Sequence, residues 1–421
     1  MTNLAWMSRT AAAVALAVAS LSIQAQQAAQ PAASAPAEAA RPAVANALNA
    51  AQALVKDGKY AEALAKVREA EAVGNLTPYE SFVVDRTRGA VAFGAGDLPL
   101  AAKSLQAAID SGRVSGDELR RLLSALADLS YQIKDYPKSI AAAQRYFKEG
   151  GTDEQVRTLL TNALYLSGDY AAAAKELAAT VQADEAAGRA SSEQLLRMLA
   201  SAQGKTGDDA GYARTLERLV ARYPKPELWN DLILRVQSQP GFSDHLRLDV
   251  YRLRLATGTM KKAGEFEEMA QIALTAGYPA EASKVIDEAY ARGLFGKGAD
   301  AQRQQQLRDK AKKAAAADAP ALAQGGAGTK DANAMVNLGY AMATAGQADK
   351  GAALIEQGLA KGGVKRPDDA RLHLGVAQWM AGQKDAAVKT FQSVQGKDGT
   401  ADLARLWATF AQAPVMAASA Q

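Results

Sequence analysis

Cysteine is absent from this 421-residue chain, and histidine occurs only at His245 and His373. The first absence excludes disulfides, thiolate metal ligation, covalent haem attachment, a cysteine nucleophile and a lipid-anchored cysteine. The second leaves no histidine pair at metal-binding spacing, and no mixed ligand set can be written from spacing alone, so both histidines read as ordinary helix residues. Aromatics are scarce at 6%, and much of the 48% hydrophobic content is alanine, a composition that favours helix over sheet. Charge of one sign is lacking too. The 49 basic and 45 acidic residues are dispersed, and a net +4 gives no case for a nucleic-acid or membrane surface. Nucleophile signatures are missing: no Gly-x-Ser-x-Gly occurs, and Gly204-Lys205-Thr206 has Leu199 where a phosphate loop needs its first glycine. Paired carboxylates such as Glu267-Glu268 sit among charges of both signs, the pattern of a solvated helix face. The reading is of a non-enzyme with no cofactor and no metal.

The N-terminus has the pattern of a cleavable secretory signal over residues 1–25. Arg9 is its sole charge, Ala11 to Ile23 is an apolar run too short to anchor in a bilayer, and the small residue Ala25 follows, with Ala28 and Ala29 as alternative cleavage points. A periplasmic location with no stable membrane anchor is expected. Residues 26–43, rich in Ala, Gln and Pro, read as a flexible linker, with folded structure starting near Val44.

A turn signal then recurs along the chain. Gly58-Lys59-Tyr60, Gly96-Asp97-Leu98, Lys134-Asp135-Tyr136, Gly168-Asp169-Tyr170 and Gly207-Asp208-Asp209 are separated by 38, 38, 34 and 39 residues, and further copies stand at Gly241, Gly277, Gly346 and Gly382. Five residues after the turn comes a small residue, as in Ala63, Ala101, Ser139, Ala173, Ala282 and Ala387. Four beyond it is a larger apolar one, as in Val67, Leu105, Leu177, Ile286 and Phe391, and three further on Ala70, Ala108 and Ala289. These steps fall on one helical face. Seven residues before the turn another small residue recurs, at Gly89, Ala127, Ala200, Ala270, Gly339 and Gly375. Each unit is therefore expected to be two antiparallel helices meeting closely at small residues.

These positions resemble the tetratricopeptide repeat (TPR) family over roughly residues 44 to 395, including Leu338-Gly339 and Leu374-Gly375 in the last copies. Tyr212 and Leu246 depart from the pattern where Ala is expected, and the family's early Trp is missing throughout. The expected fold is an all-α, TPR-like α-solenoid of about eight to nine repeats: a solenoid over 44–292, a hinge or degenerate repeat over 293–330, a repeat pair over 331–396, a capping helix over 397–412 and a frayed tail over 413–421. The hinge is suggested by Ala301 to Ala317, where Leu307 is the only large apolar residue. Leu403, Leu406, Trp407 and Phe410 are expected to cover the open end of the stack.

The resemblance implies protein binding on the concave face, lined by the first helix of each repeat. Its groove positions correspond here to Arg86 and Phe93; Arg121, Asp128 and Tyr131; and Gln155, Asn162 and Tyr165. Phe93, Tyr131 and Tyr165 occupy one position in three consecutive repeats. Rings supply buried area, amides bond an extended backbone and Arg meets a carboxylate, so the row suits a protein segment. Packing between repeats is the competing role for the rings. A scaffold or adaptor, within an envelope assembly or energy-coupling complex, is the expected function. A glycan of the cell wall or of an exopolysaccharide machine is the alternative ligand.

Overall fold

The computed structural model describes residues 38–326 and 328–414, so the expected signal peptide and the tail beyond residue 414 lie outside the described residues. Among these, twenty α-helices and no strand are present. The protein is an all-α array of antiparallel helix pairs of the TPR-like kind. The chain divides into two compact units between Thr180 and Val181.

The first unit contains α1 (Pro42–Lys56), α2 (Tyr60–Ala72), α3 (Pro78–Gly94), α4 (Leu98–Asp110), α5 (Gly116–Gln132), α6 (Tyr136–Lys148), α7 (Glu154–Ser167) and the start of α8 (Tyr170–Ala186). Consecutive helices pack as pairs, and first helices also touch, α1 on α3 and α5 on α7. The turns are built as the sequence reading requires. Asp97, Asp135 and Asp169 each accept a backbone N–H three residues on, at 3.1, 3.2 and 3.0 Å. The residue before each aspartate takes a left-handed conformation, which is natural for Gly96 and Gly168 but is also imposed on Lys134 at φ 63°. Ala63, Ala101, Ser139 and Ala173 are all buried to 1% exposure or less, and Ser139 Oγ donates to the Ala127 carbonyl at 2.8 Å, across the close contact of α5 and α6.

The chain is ordered slightly earlier than expected. Arg41, placed in the flexible linker by composition, is pinned to fully buried Glu80: its backbone N–H and Nε donate to Oε1 at 2.8 Å each, and Nη2 donates to Oε2 at 2.9 Å. Glu80 also closes a capping box with Thr77 at the start of α3. Hydrogen bonding from Arg41, opposed by burial and aided by the Thr77 and Arg41 backbone amides, holds the Glu80 carboxyl down at about 2.

The second unit contains α9 (Glu193–Thr206), α10 (Asp209–Arg222), α11 (Pro226–Gln237), α12 (Arg247–Ala256), α13 (Ala263–Thr275), α14 (Pro279–Ala291), α15 (Ala301–Ala323), α16 (Ala332–Thr344), α17 (Ala348–Lys361), α18 (Pro367–Met380), α19 (Lys384–Gln392) and α20 (Thr400–Gln412). The closest pair is α16 with α17. A Cβ placed on Gly339 would lie 2.6 Å from the Gly351 carbonyl oxygen and 2.8 Å from Ile355 Cγ1, so the backbones meet where both helices carry glycine. Tyr212, which replaces the expected small residue, is accommodated from the other side: its ring lies 3.6 Å from where a Cβ would stand on Gly204.

The expected hinge over 293–330 contains the 23-residue α15, which packs on α14. Polar contacts hold its first half, where Arg303 pairs with Glu267 at 2.9 Å, Arg308 with Asp287 at 2.6 Å, and Gln304 accepts the Gly296 N–H at 2.9 Å, while Ala311 is buried and Leu322 packs with Met335, Met342 and Leu354. The terminal helix also does more than cover an end. Leu403 and Leu406 are fully buried and Trp407 is 1% exposed, and α20 packs on α10, α11 and α12 as well as on α18 and α19. Phe410 meets Trp229 edge-on at 5.9 Å and Trp379 at 5.5 Å, and Trp407 stacks on Phe391 at 6.1 Å. The second unit therefore returns upon itself, and α20 joins its beginning to its end.

Gly339→Ala is expected to destabilise the chain by about 1–3 kcal/mol, because the added methyl overpacks a backbone contact. Gly89→Ala should be neutral or slightly stabilising, since its Cβ would meet Ser104 at an ordinary 3.4 Å while Ala is the better helix former. Urea denaturation of the two variants checks the contrast. Because the Glu80 carboxyl titrates near 4.3 when unfolded and at about 2 when folded, its contribution is present above that range and is lost as pH falls towards 2. The thermal midpoint of the natural chain should thus fall more steeply between pH 4.5 and about 2 than that of Glu80→Gln.

Candidate functional site

The eight groove positions all lie on the first helices of the first unit: Arg86 and Phe93 on α3, Arg121, Asp128 and Tyr131 on α5, and Gln155, Asn162 and Tyr165 on α7. Helical spacing puts the inward-facing Leu122, Leu126 and Leu129 of α5 in the core at 6, 1 and 2% exposure. Arg121 is exposed, and Asp128 and Tyr131 are half-buried at the margin of that core. The same sorting on α7 buries Val156, Leu159, Leu160 and Leu164, leaves Gln155 exposed and leaves Asn162 and Tyr165 half-buried.

The aromatic row has a definite support. Tyr131 meets Tyr136 edge-on at 5.8 Å, and Tyr165 meets Tyr170 in the same way at 5.2 Å. The repeat signature places a tyrosine at the start of the second helix, and here that ring braces the one at the end of the first. Phe93 is likewise half-buried, with Leu98 opening the next helix. Tyr131 and Tyr165 are thus each engaged by a ring of the same hairpin while part of their surface remains accessible. Bracing of this kind fixes the ring's orientation before any ligand arrives, which lowers the entropic cost of contact.

The charged border is arranged rather than loose. Arg86 pairs with Glu118 at 2.6 Å, tying α3 to the start of α5. Asp128 accepts from Gln132 Nε2 at 2.8 Å, and burial raises its carboxyl above the ordinary range while that hydrogen bond lowers it. Burial, then the neighbouring Tyr136, also raises the Tyr131 hydroxyl, so it stays a neutral donor. The surface thus offers aromatic rings, a phenol and an exposed guanidinium, with the amides of Gln155 and Asn162 on α7.

A second cluster, in the second unit, was not legible from the sequence. Arg252 of α12 is 5% exposed and lies bidentate on Glu281 of α14, at 2.8 Å for both bonds, while it also donates to Asp249 at 2.7 Å. Its guanidinium sits 5.0 Å from the Tyr278 ring centre and 4.3 Å from that of Tyr340 on α16. His373 of α18, read as an ordinary helix residue, lies 3.0 Å from Asp249 and packs on Tyr340 at 4.4 Å. Burial would raise the Asp249 carboxyl, but His373 and Arg252 outweigh it and hold that carboxyl below the ordinary range. Four helices are joined by one buried cation and its two carboxylates. A charge in a helix reads as surface unless its neighbours in space are known, so no sequence signal marked this group.

Among the described residues no helix is long and apolar enough to cross a membrane. No family model matches the chain, and no curated protein matches it. Among solved structures, the chain is similar to a tetratricopeptide repeat protein from Parabacteroides merdae, at 13% identity over 80% of this chain and 99% of that one, with a TM-score of 0.30. It is similar to the Naa15/Naa10 complex bound to HypK at 14% identity, 84% and 58% coverage and a TM-score of 0.30. It is also similar to yeast Tom70 at 11% identity, 88% and 95% coverage and a TM-score of 0.23. The fold assignment rests on the helix pairs themselves and not on these likenesses.

Arg252→Ala is expected to cost about 3–5 kcal/mol, because it strands two buried carboxylates without their cation. Equilibrium unfolding of the variant against the natural chain measures this.

Proposed function

We propose that the protein is an exported interaction scaffold whose first unit holds a segment of a partner protein along Phe93, Tyr131 and Tyr165. The single observation that carries this reading is the braced, half-exposed aromatic row: rings oriented by Tyr136 and Tyr170, yet not consumed by the core. Arg121 is exposed beside it, so a carboxylate of the partner has a cation to meet, and Gln155 and Asn162 offer amides to an extended backbone. Work in the periplasm, within an envelope assembly or energy-coupling complex, is part of the proposal. It rests on Arg9, the apolar run from Ala11 to Ile23 and Ala25.

A photo-crosslinking residue at Gln155 in the exported chain should trap a discrete protein band. Trimming all three rings to alanine should lower its yield by about tenfold or more, since buried aromatic anchors contribute on the order of 2 kcal/mol each, with the helical circular dichroism preserved. Loss of most of the helical signal would show instead that the rings are packing elements. Retention on purified cell wall, sensitive to the same triple substitution and without a protein crosslink, would assign the row to glycan.

A further inference from the structure

We propose that His245, Asp369 and Asp398 form a binding site for a divalent transition-metal cation of the Zn2+ type. The three come from separate segments of the second unit. His245 lies in the 3-10 turn Asp244–Leu246 that precedes α12, Asp369 in the first turn of α18, and Asp398 in the loop before α20. One ligand atom from each converges with the others to within 4.8 Å.

The orientation of each side chain is set from behind. Ser243 Oγ engages His245 Nδ1 at 2.6 Å and turns Nε2 towards the carboxylates. Thr400, fully buried, donates its hydroxyl to Asp398 Oδ1 at 2.5 Å and approaches Asp369 Oδ1 at 3.5 Å. The Oδ2 atoms are left facing His245. Outer hydrogen bonds of this kind, on the far atom of each ligand, are what fixes a metal ligand's direction.

The decisive feature is His245 Nε2 itself. It is buried and has no hydrogen-bond partner among the described residues, although Asp369 Oδ2 stands 3.1 Å away and Asp398 Oδ2 3.7 Å away. The Asp369 oxygen is close enough for a hydrogen bond but lies off its direction, and the Asp398 oxygen is beyond hydrogen-bond reach. The separations suit a third atom between them. With ordinary zinc bonds of about 2.1 Å, these two nitrogen–oxygen separations correspond to nitrogen–metal–oxygen angles of about 95° and about 125°. Imidazole nitrogen with two carboxylate oxygens favours a borderline ion such as Zn2+ over Ca2+ or Mg2+, which take oxygen alone.

Asp369 and Asp398 also line a cavity of about 480 Å3, so the ion's remaining positions would face open space. Arg366 approaches Asp369 Oδ2 at 3.8 Å from a largely exposed position and is the group an incoming cation would displace. Structurally, the ion would lock the turn before α12 to α18 and to the loop that delivers α20. The Ser243 N–H already reaches the Asp398 carbonyl there at 2.9 Å.

The test is calorimetric titration of the full chain with ZnCl2 after chelator treatment, using a purification tag without histidine. With no cysteine and only one other histidine in the chain, background binding is low. One equivalent should bind with a micromolar or lower Kd, and binding should raise the thermal midpoint. His245→Gln should weaken the event at least about 100-fold, and the milder Ser243→Ala, which leaves all three ligands in place, by about 10–100-fold. Should His245→Gln fail to fold, Ser243→Ala carries the comparison. The proposal is overturned if the natural chain shows no saturable Zn2+ binding below about 100 μM, if Ser243→Ala binds as tightly as the natural chain, or if Mg2+ or Ca2+ binds and Zn2+ does not.

Discussion

Two helices can approach to backbone contact only where neither interposes a large side chain, and that constraint organises the whole chain. In most pairs the small residue after the turn faces the small residue before it, Tyr212 and Leu246 being departures. The larger apolar residue one turn on then fills the wedge that opens beyond the contact. At Gly339 and Gly351 the approach is so close that a single methyl on either helix would strike the other's carbonyl oxygen.

This explains which parts of the protein could be read from its sequence. Ala63, Ala101 and Ala282, with Val67 and Ile286 beyond them, recur at fixed steps because each answers to a contact within its own hairpin, and all are buried. The return of α20 onto α10, α11 and α12 answers to something else, the accumulated turn from one pair to the next, and no residue spacing records it. Leu403, Leu406, Trp407 and Phe410 announced a buried face without saying that it was met from two sides. Likewise α15, with Gln and Lys where a stripe should be, looked unattached because ion pairs such as Arg308 with Asp287 leave no periodic mark. The groove positions were located by counting, yet the bracing of Tyr131 by Tyr136 depends on ring geometry that counting does not supply.

The two units gather their largest polar clusters at different depths. In the first, Arg86 and Asp128 border a row of rings, and their partners hold them at the margin of the core. In the second, Arg252, Asp249 and Glu281 are drawn fully inside, where a charge is tolerable only because each neighbour satisfies it. Buried ion pairs are often no more stabilising than well-packed apolar residues of equal volume, yet removing one partner leaves the others buried and uncompensated.

The position of α20 has a consequence for how the polypeptide is made. Helix pairs of the first unit can settle one after another as they leave the ribosome, each needing only its predecessor. The second unit cannot finish in that order, since α10 to α12 must wait with an apolar flank uncovered until the closing helix arrives. Vectorial synthesis therefore leaves this half incomplete, with apolar surface open, until its last helix has been made.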